Sequence, residues 1–124
     1  AVAGYPYEGA LGAPTLTFGT LSDSRGLKGE DEVQRLAMLV EPGDSGGPVL
    51  DAGGAVLGVL LPRVADTSRQ LPEDVQFAAK ADAIANSLNA VGVSVTRNTA
   101  GEELPSETLT TLAGDMTVLV SCWR

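Results

Sequence analysis

Breaks in apolar patterning set the first limit on this fold. The sequence holds 15 Gly and 7 Pro in 124 residues. They fall so often that most apolar runs stop after four to seven residues, which suits short antiparallel strands joined by turns better than a helical bundle. Residues 2–5 read as a strand ended by Pro6. Residues 15–21 alternate, with Leu16 and Phe18 sharing a face, and residues 22–26 carry turn chemistry before a charged, exposed loop over 28–32. Residues 33–40 alternate again, placing Leu36, Met38 and Val40 together. Two apolar runs, 48–50 and 55–61, flank Asp51-Ala52-Gly53-Gly54, a hairpin signal. A polar loop spans 62–72. Residues 75–79 form a sixth strand with Val75, Phe77 and Ala79 on one face. Ala81, Ile84, Ala85 and Leu88 then recur at helical spacing, with Gly92 soon after.

Six short strands followed by one helix predict an all-β chain, a small antiparallel barrel closed by a helix. The tail reads as a strand over 91–95, a short helix capped by Ser106 and running through Leu109 and Leu112, and a last strand over 116–122. We divide the chain into a barrel with its closing helix (residues 1–96) and a C-terminal extension of unassigned role (residues 97–124).

Aromatic residues make up only 4% of the chain, so the core must be built from Val, Leu and Ala. The formal charge of -8 argues against a nucleic-acid partner, because phosphate binding needs a basic surface. No apolar run is long enough to span a membrane, and the first residues are no signal peptide, although a signal could precede them. The single cysteine, Cys122, excludes an internal disulfide and reads as buried packing beside Trp123. The chain has no histidine. It therefore cannot supply the imidazole base of most serine hydrolases, and a zinc site is not expected. Neither a metal nor another cofactor is expected.

The chemistry concentrates in Glu41-Pro42-Gly43-Asp44-Ser45-Gly46-Gly47-Pro48. Glycines around a serine allow backbone conformations closed to other residues, so successive amides can converge on one point. If the amides of Gly43 and Ser45 converge beside the Ser45 hydroxyl, one tight turn supplies both nucleophile and oxyanion hole. The Asp44 carboxylate would oppose charge developing there. It is expected to turn inward and find hydrogen-bond donors.

This octet, with the following Val49-Leu50-Asp51, the hairpin and Val56-Leu57-Gly58-Val59, resembles the trypsin-like (chymotrypsin-fold) serine peptidases, above all their disulfide-free bacterial HtrA-like branch. Val2-Ala3-Gly4-Tyr5-Pro6 with Leu16-Thr17-Phe18-Gly19-Thr20-Leu21 is similar to the opening hairpin of the family's second barrel, a six-stranded Greek-key barrel. Residues 75–84 are similar to its last strand and helix. The resemblance covers about residues 1 to 90 and is most specific at the octet.

It implies that Ser45 is the nucleophile and that Gly43 and Ser45 supply the oxyanion-hole amides. It sets Leu39 at the floor of the primary specificity pocket, Leu61, Pro62 and Arg63 along its wall, and Phe77 on the strand behind. It further implies a peptide or protein substrate and a periplasmic or secreted enzyme. The family's base His and orienting Asp lie in an N-terminal barrel that these residues do not include. The isolated chain is therefore expected to be inactive, and its uncovered barrel face to favour self-association. Two other readings stand beside this one: an inactive module that binds extended peptides by strand addition, and a Ser–Lys hydrolase using Lys28 or Lys80.

Overall fold

A computed structural model describes residues 1–6, 12–63, 71–97, 101–120 and 122. Strands β1 (Val2–Gly4), β2 (Thr15–Thr17), β3 (Thr20–Asp23), β4 (Val33–Ala37), β5 (Pro48–Leu50), β6 (Val56–Leu60) and β7 (Val75–Lys80) precede helices α1 (Ala81–Ala90) and α2 (Ser106–Met116). The strands form one curled antiparallel sheet, ordered β2-β1-β5-β6-β7-β4-β3. The chain is mostly β, as the turn spacing predicts.

The strand count is seven rather than six, because the run over 15–21 is divided. Its first part pairs with β1 (Ala3 with Leu16) and its second with β4 (Leu21 with Leu36), so the two outer strands of the sheet are neighbours in sequence. The division falls at Phe18-Gly19. A β-carbon on Gly19 would collide with the Met38 side chain and the Ala37 carbonyl, so only glycine lets the chain cross so close to β4. Phe18, expected to share a face with Leu16, is exposed, whereas Leu16 is half-buried.

Two apolar clusters hold the sheet. One joins Val2, Leu36, Met38, Val49, Leu60 and Ala78. Leu36, Met38 and Val40 thus share a side as expected, although Val40 is only partly buried. On β7 the inward face is reversed from the hydrophobic expectation. Val75, Phe77 and Ala79 are half-buried, whereas Gln76 and Ala78 go inside. Register fixes this: Leu36 lies opposite Gln76 and Gln34 opposite Ala78, so inward positions on β4 force inward positions on β7. The buried glutamines are satisfied by backbone oxygens. Gln34 donates to the Leu57 carbonyl (3.2 Å) and Gln76 to the Glu73 carbonyl (2.8 Å).

The second cluster reassigns part of the tail. Ala3 and Leu50 pack against Leu109 and Ala113 of α2, with Leu16 and Leu104 beside them. The extension over 97–124 therefore includes a helix that completes the core. Ser106 is the first residue of α2 rather than its cap; Pro105 precedes the helix, and no side chain caps it. Neither expected tail strand is present among the described residues: 91–95 is irregular and exposed, and 117–120 runs on from α2 without pairing. Cys122 is exposed, against the expectation of burial. Most of the polar loop over 62–72, and Trp123, lie outside the described residues.

Candidate active site

Between β4 and β5 the octet makes one 3-10 turn, Pro42–Asp44, and delivers Ser45 to the surface. Its exit is pinned to the sheet. The Gly46 amide donates to the Leu60 carbonyl (2.7 Å), and the Leu60 amide donates back to Gly47 (3.0 Å), extending the β5–β6 ladder to within one residue of the serine. Its entry is pinned to the end of β1, where the Tyr5 amide donates to the Gly43 carbonyl (3.0 Å). Gly46 takes a positive φ of 82°, which reverses the chain after Ser45.

Asp44 turns inward, as its chemistry predicts, and is fully buried. The Glu41 amide (2.9 Å) and the Thr17 hydroxyl (3.3 Å) both donate to Oδ2. Oδ1 has no hydrogen-bond partner among the described residues and lies against the α-carbon of Gly4, where a methyl group would clash with it. The carboxylate thus ties the turn to β2. Replacing Asp44 with Ala removes two hydrogen bonds to a charged group and should lower unfolding free energy by about 2–4 kcal/mol. Urea denaturation checks this; an unchanged midpoint would refute the tie.

The two amides expected to form an oxyanion hole differ. That of Gly43 has no acceptor among the described residues, whereas that of Ser45 donates to the Pro42 carbonyl at 3.3 Å. This bond is long and weak, so a substrate oxyanion could replace the Pro42 carbonyl at modest cost.

Ser45 faces two clefts. One, of about 490 Å³, is lined by Leu39, Leu61, Pro62 and Arg63, together with Val40, Glu41, Pro42, Glu73 and Gln76. Four of the five residues expected to bind substrate thus meet Ser45 in one place. The fifth, Phe77, does not line this cleft. Gln76 takes its place, because β7 presents its even-numbered positions inward. Leu39 lies on the cleft surface and is 64% exposed.

Arg63 does not point freely into the cleft. Its guanidinium donates to the carbonyls of Leu71 (2.7 Å), Pro72 (3.0 Å) and Glu73 (3.1 Å), bracing the loop before β7. Gln76 and Glu73 were not foreseen from sequence. The alternation of β7 could have identified Gln76 had the register with β4 been known.

The other cleft, about 350 Å³, separates Gly43, Ser45 and Gly46 from the segment that follows α2. A third cavity, about 420 Å³, lies between α2 and the sheet, reaches Asp51 and Glu103, and does not include Ser45. Neither Lys28 nor Lys80 lines either of the two clefts that Ser45 lines. No cluster of His, Cys, Asp and Glu suited to a metal occurs among the described residues. No described helix is long and apolar enough to cross a membrane.

No family model matches the chain. It is similar to an uncharacterized protein, y4bJ, of Sinorhizobium fredii, with 27% identity over 128 aligned positions that cover 98% of this chain. The chain spans about a fifth of that relative's length, 20%.

Proposed function

We propose that this chain is the nucleophile-bearing half of a trypsin-like serine endopeptidase. In this reading Ser45 attacks a peptide carbonyl, forms an acyl-enzyme and releases the amine. A histidine from an N-terminal barrel outside these residues takes and returns the proton, and an aspartate of the same barrel orients its imidazole. The seven-stranded sheet is then a six-stranded Greek-key barrel whose bent second strand, residues 15–23, joins both edges. The observation that carries the reading is the setting of Ser45. It is exposed at the end of a one-turn helix, with the preceding carboxylate buried away from it, a Gly43 amide that has no acceptor among the described residues, and two clefts that it lines. The oxyanion would form at the Gly43 and Ser45 amides once the Ser45 amide leaves Pro42. The same uncovered surface would dock the missing barrel or, in the isolated chain, a second copy.

A fluorophosphonate probe tests the assignment directly, since it reacts only with a serine that a base has activated. The complete natural protein should be labelled, with the adduct mapped by mass spectrometry to Ser45. The isolated 124-residue chain should stay unlabelled, because it holds no histidine. Absence of label on the complete protein would leave the same groove as that of an inactive peptide-binding module.

The first cleft also predicts specificity. Leu39, Val40, Leu61 and Pro62 give it apolar walls. Its carboxylates, Glu41 and Glu73, are exposed at the surface, where water screens them. A lysine or arginine buried there would lack a counter-charge. The residue on the amino side of the cut is therefore expected to be Val, Leu or Ala, with broad preference, since each methylene contributes only about 1–3 kcal/mol. Peptide-library profiling showing dominant cleavage after Lys or Arg would refute this assignment of Leu39.

A further inference from the structure

The C-terminal extension has a place in the fold but no task in the proposed reaction. It runs from the β5–β6 hairpin to the end of β1, where the Ser45 turn is pinned. At its start the Leu104 amide donates to the Ala52 carbonyl (2.8 Å). Leu112 lies over the hairpin residue Gly54, where a β-carbon would collide with its side chain. Midway, Leu109 and Ala113 pack on Ala3 and Leu50. At the far end the Thr117 amide donates to the Ala113 carbonyl (3.0 Å), and the Thr117 carbonyl accepts from the Tyr5 hydroxyl (3.3 Å).

Tyr5 also grips the turn, through its backbone. Its amide donates to the Gly43 carbonyl (3.0 Å). Its own carbonyl lies so close to the Gly43 α-carbon that a side chain there would collide with it. Glycine allows its flanking peptides more rotation than other residues do, so a bond to the Gly43 carbonyl fixes a peptide plane that the sequence leaves loose. That plane leads into Asp44 and Ser45, and Gly43 supplies one of the two amides assigned to the oxyanion. Misplacing such a group by about 1 Å can cost on the order of 100-fold in rate.

We infer that Tyr5 is a positioning residue through which the C-terminal extension holds the Ser45 turn in shape. Docked α2 fixes the tyrosine hydroxyl at Thr117, and the tyrosine backbone fixes Gly43. The effect on rate rests on the peptidase reading, whereas the tie itself does not. The helix suits this task because it depends on docking. Its 11 residues carry no side-chain cap, and so short a helix is marginal alone. The Thr117 anchor therefore stands or falls with the burial of Leu109 and Ala113.

Amide hydrogen exchange of the 124-residue chain, followed by NMR, tests the tie. Tyr5→Phe removes the hydroxyl and nothing else. It should speed exchange about fivefold, the worth of one ordinary hydrogen bond, at the amides of residue 5, Asp44 and Gly47, all bonded within the turn or to it. Leu109→Ala weakens docking and should speed the same amides, but less once the hydroxyl is gone. In the complete protein, Tyr5→Phe should lower kcat about fivefold and leave KM unchanged. Loss of overall stability alone would not alter kcat of the folded enzyme.

Unchanged exchange at those three amides in Tyr5→Phe would overturn the inference, and it decides the matter even if Leu109→Ala fails to fold. Equal effects of Leu109→Ala with and without the hydroxyl would also overturn it, since the coupling would then bypass Tyr5. A complete protein that cleaves peptides, and does so as fast with Phe at position 5, would remove the positioning role and spare the peptidase reading. A complete protein without activity, in a chain whose exchange is coupled as described, would remove the peptidase reading and leave the tie.

Discussion

Gly47→Val should unfold the chain or leave it at least about 3 kcal/mol less stable. A β-carbon on Gly47 would be driven into the carbonyl oxygen of Ala3, with the Asp44 carbonyl close behind. Both obstacles are backbone, so no rotamer change relieves the clash. Either β1 leaves β5, where Val2 pairs with Val49, or the octet leaves the sheet. Neighbouring Gly46 provides the control. A methyl there meets nothing within 4 Å, so Gly46→Ala should cost only the left-handed backbone penalty of about 1–2 kcal/mol. Thermal unfolding of both variants decides the matter. Similar losses at the two positions would show that the octet does not pack against β1 as described.

The second large effect concerns rate. On the peptidase reading proposed above, Ser45→Ala in the complete protein should lower kcat for a cleavable peptide by about 10⁴-fold or more, with little change in substrate affinity. An alanine cannot form the acyl-enzyme, so what remains comes from the oxyanion donors and binding alone. Because Ser45 is exposed and its side chain fills no part of the core, stability should stay within about 0.5 kcal/mol. A variant that keeps most of its activity would exclude Ser45 as nucleophile. A variant that unfolds would make any rate loss uninformative, so denaturation must accompany the kinetics.

The legible parts of this chain are those whose chemistry is local. Asp44 could be assigned to the interior from its neighbours alone, since three glycines and a serine leave one sensible direction for a carboxylate. The Asp51 hairpin was equally readable. Its carboxylate accepts from the Gly53 and Ala55 amides, both at 2.9 Å, a bond pattern contained within five residues.

What failed to show in the sequence depends on distant partners. The apolar face of β7 reads as Val75, Phe77 and Ala79, yet register with β4 sends Gln76 and Ala78 inward. The apparent strand over 15–21 divides because Gly19 passes close to Met38, nineteen residues later. The tail gave no sign that Leu109 would cover Ala3 and Leu50, or that Val118 to Val120 would stand beside Ser45. Helical spacing can suggest α2, but no spacing rule says which surface it meets.

The meeting of Leu109 and Ala113 with Ala3 and Leu50 also bears on synthesis. At about 5–20 residues per second, the ribosome needs on the order of ten seconds to proceed from β1 to α2. Until α2 is made the Ala3 and Leu50 side of the sheet lacks its helical cover, and β1, paired early with β2, must wait for β5 to gain its second partner. The nascent chain therefore presents a sticky, half-finished surface to holding chaperones for seconds. A slow codon run placed between β7 and α2 would prolong that exposure and lower the soluble yield, with no change in the finished protein.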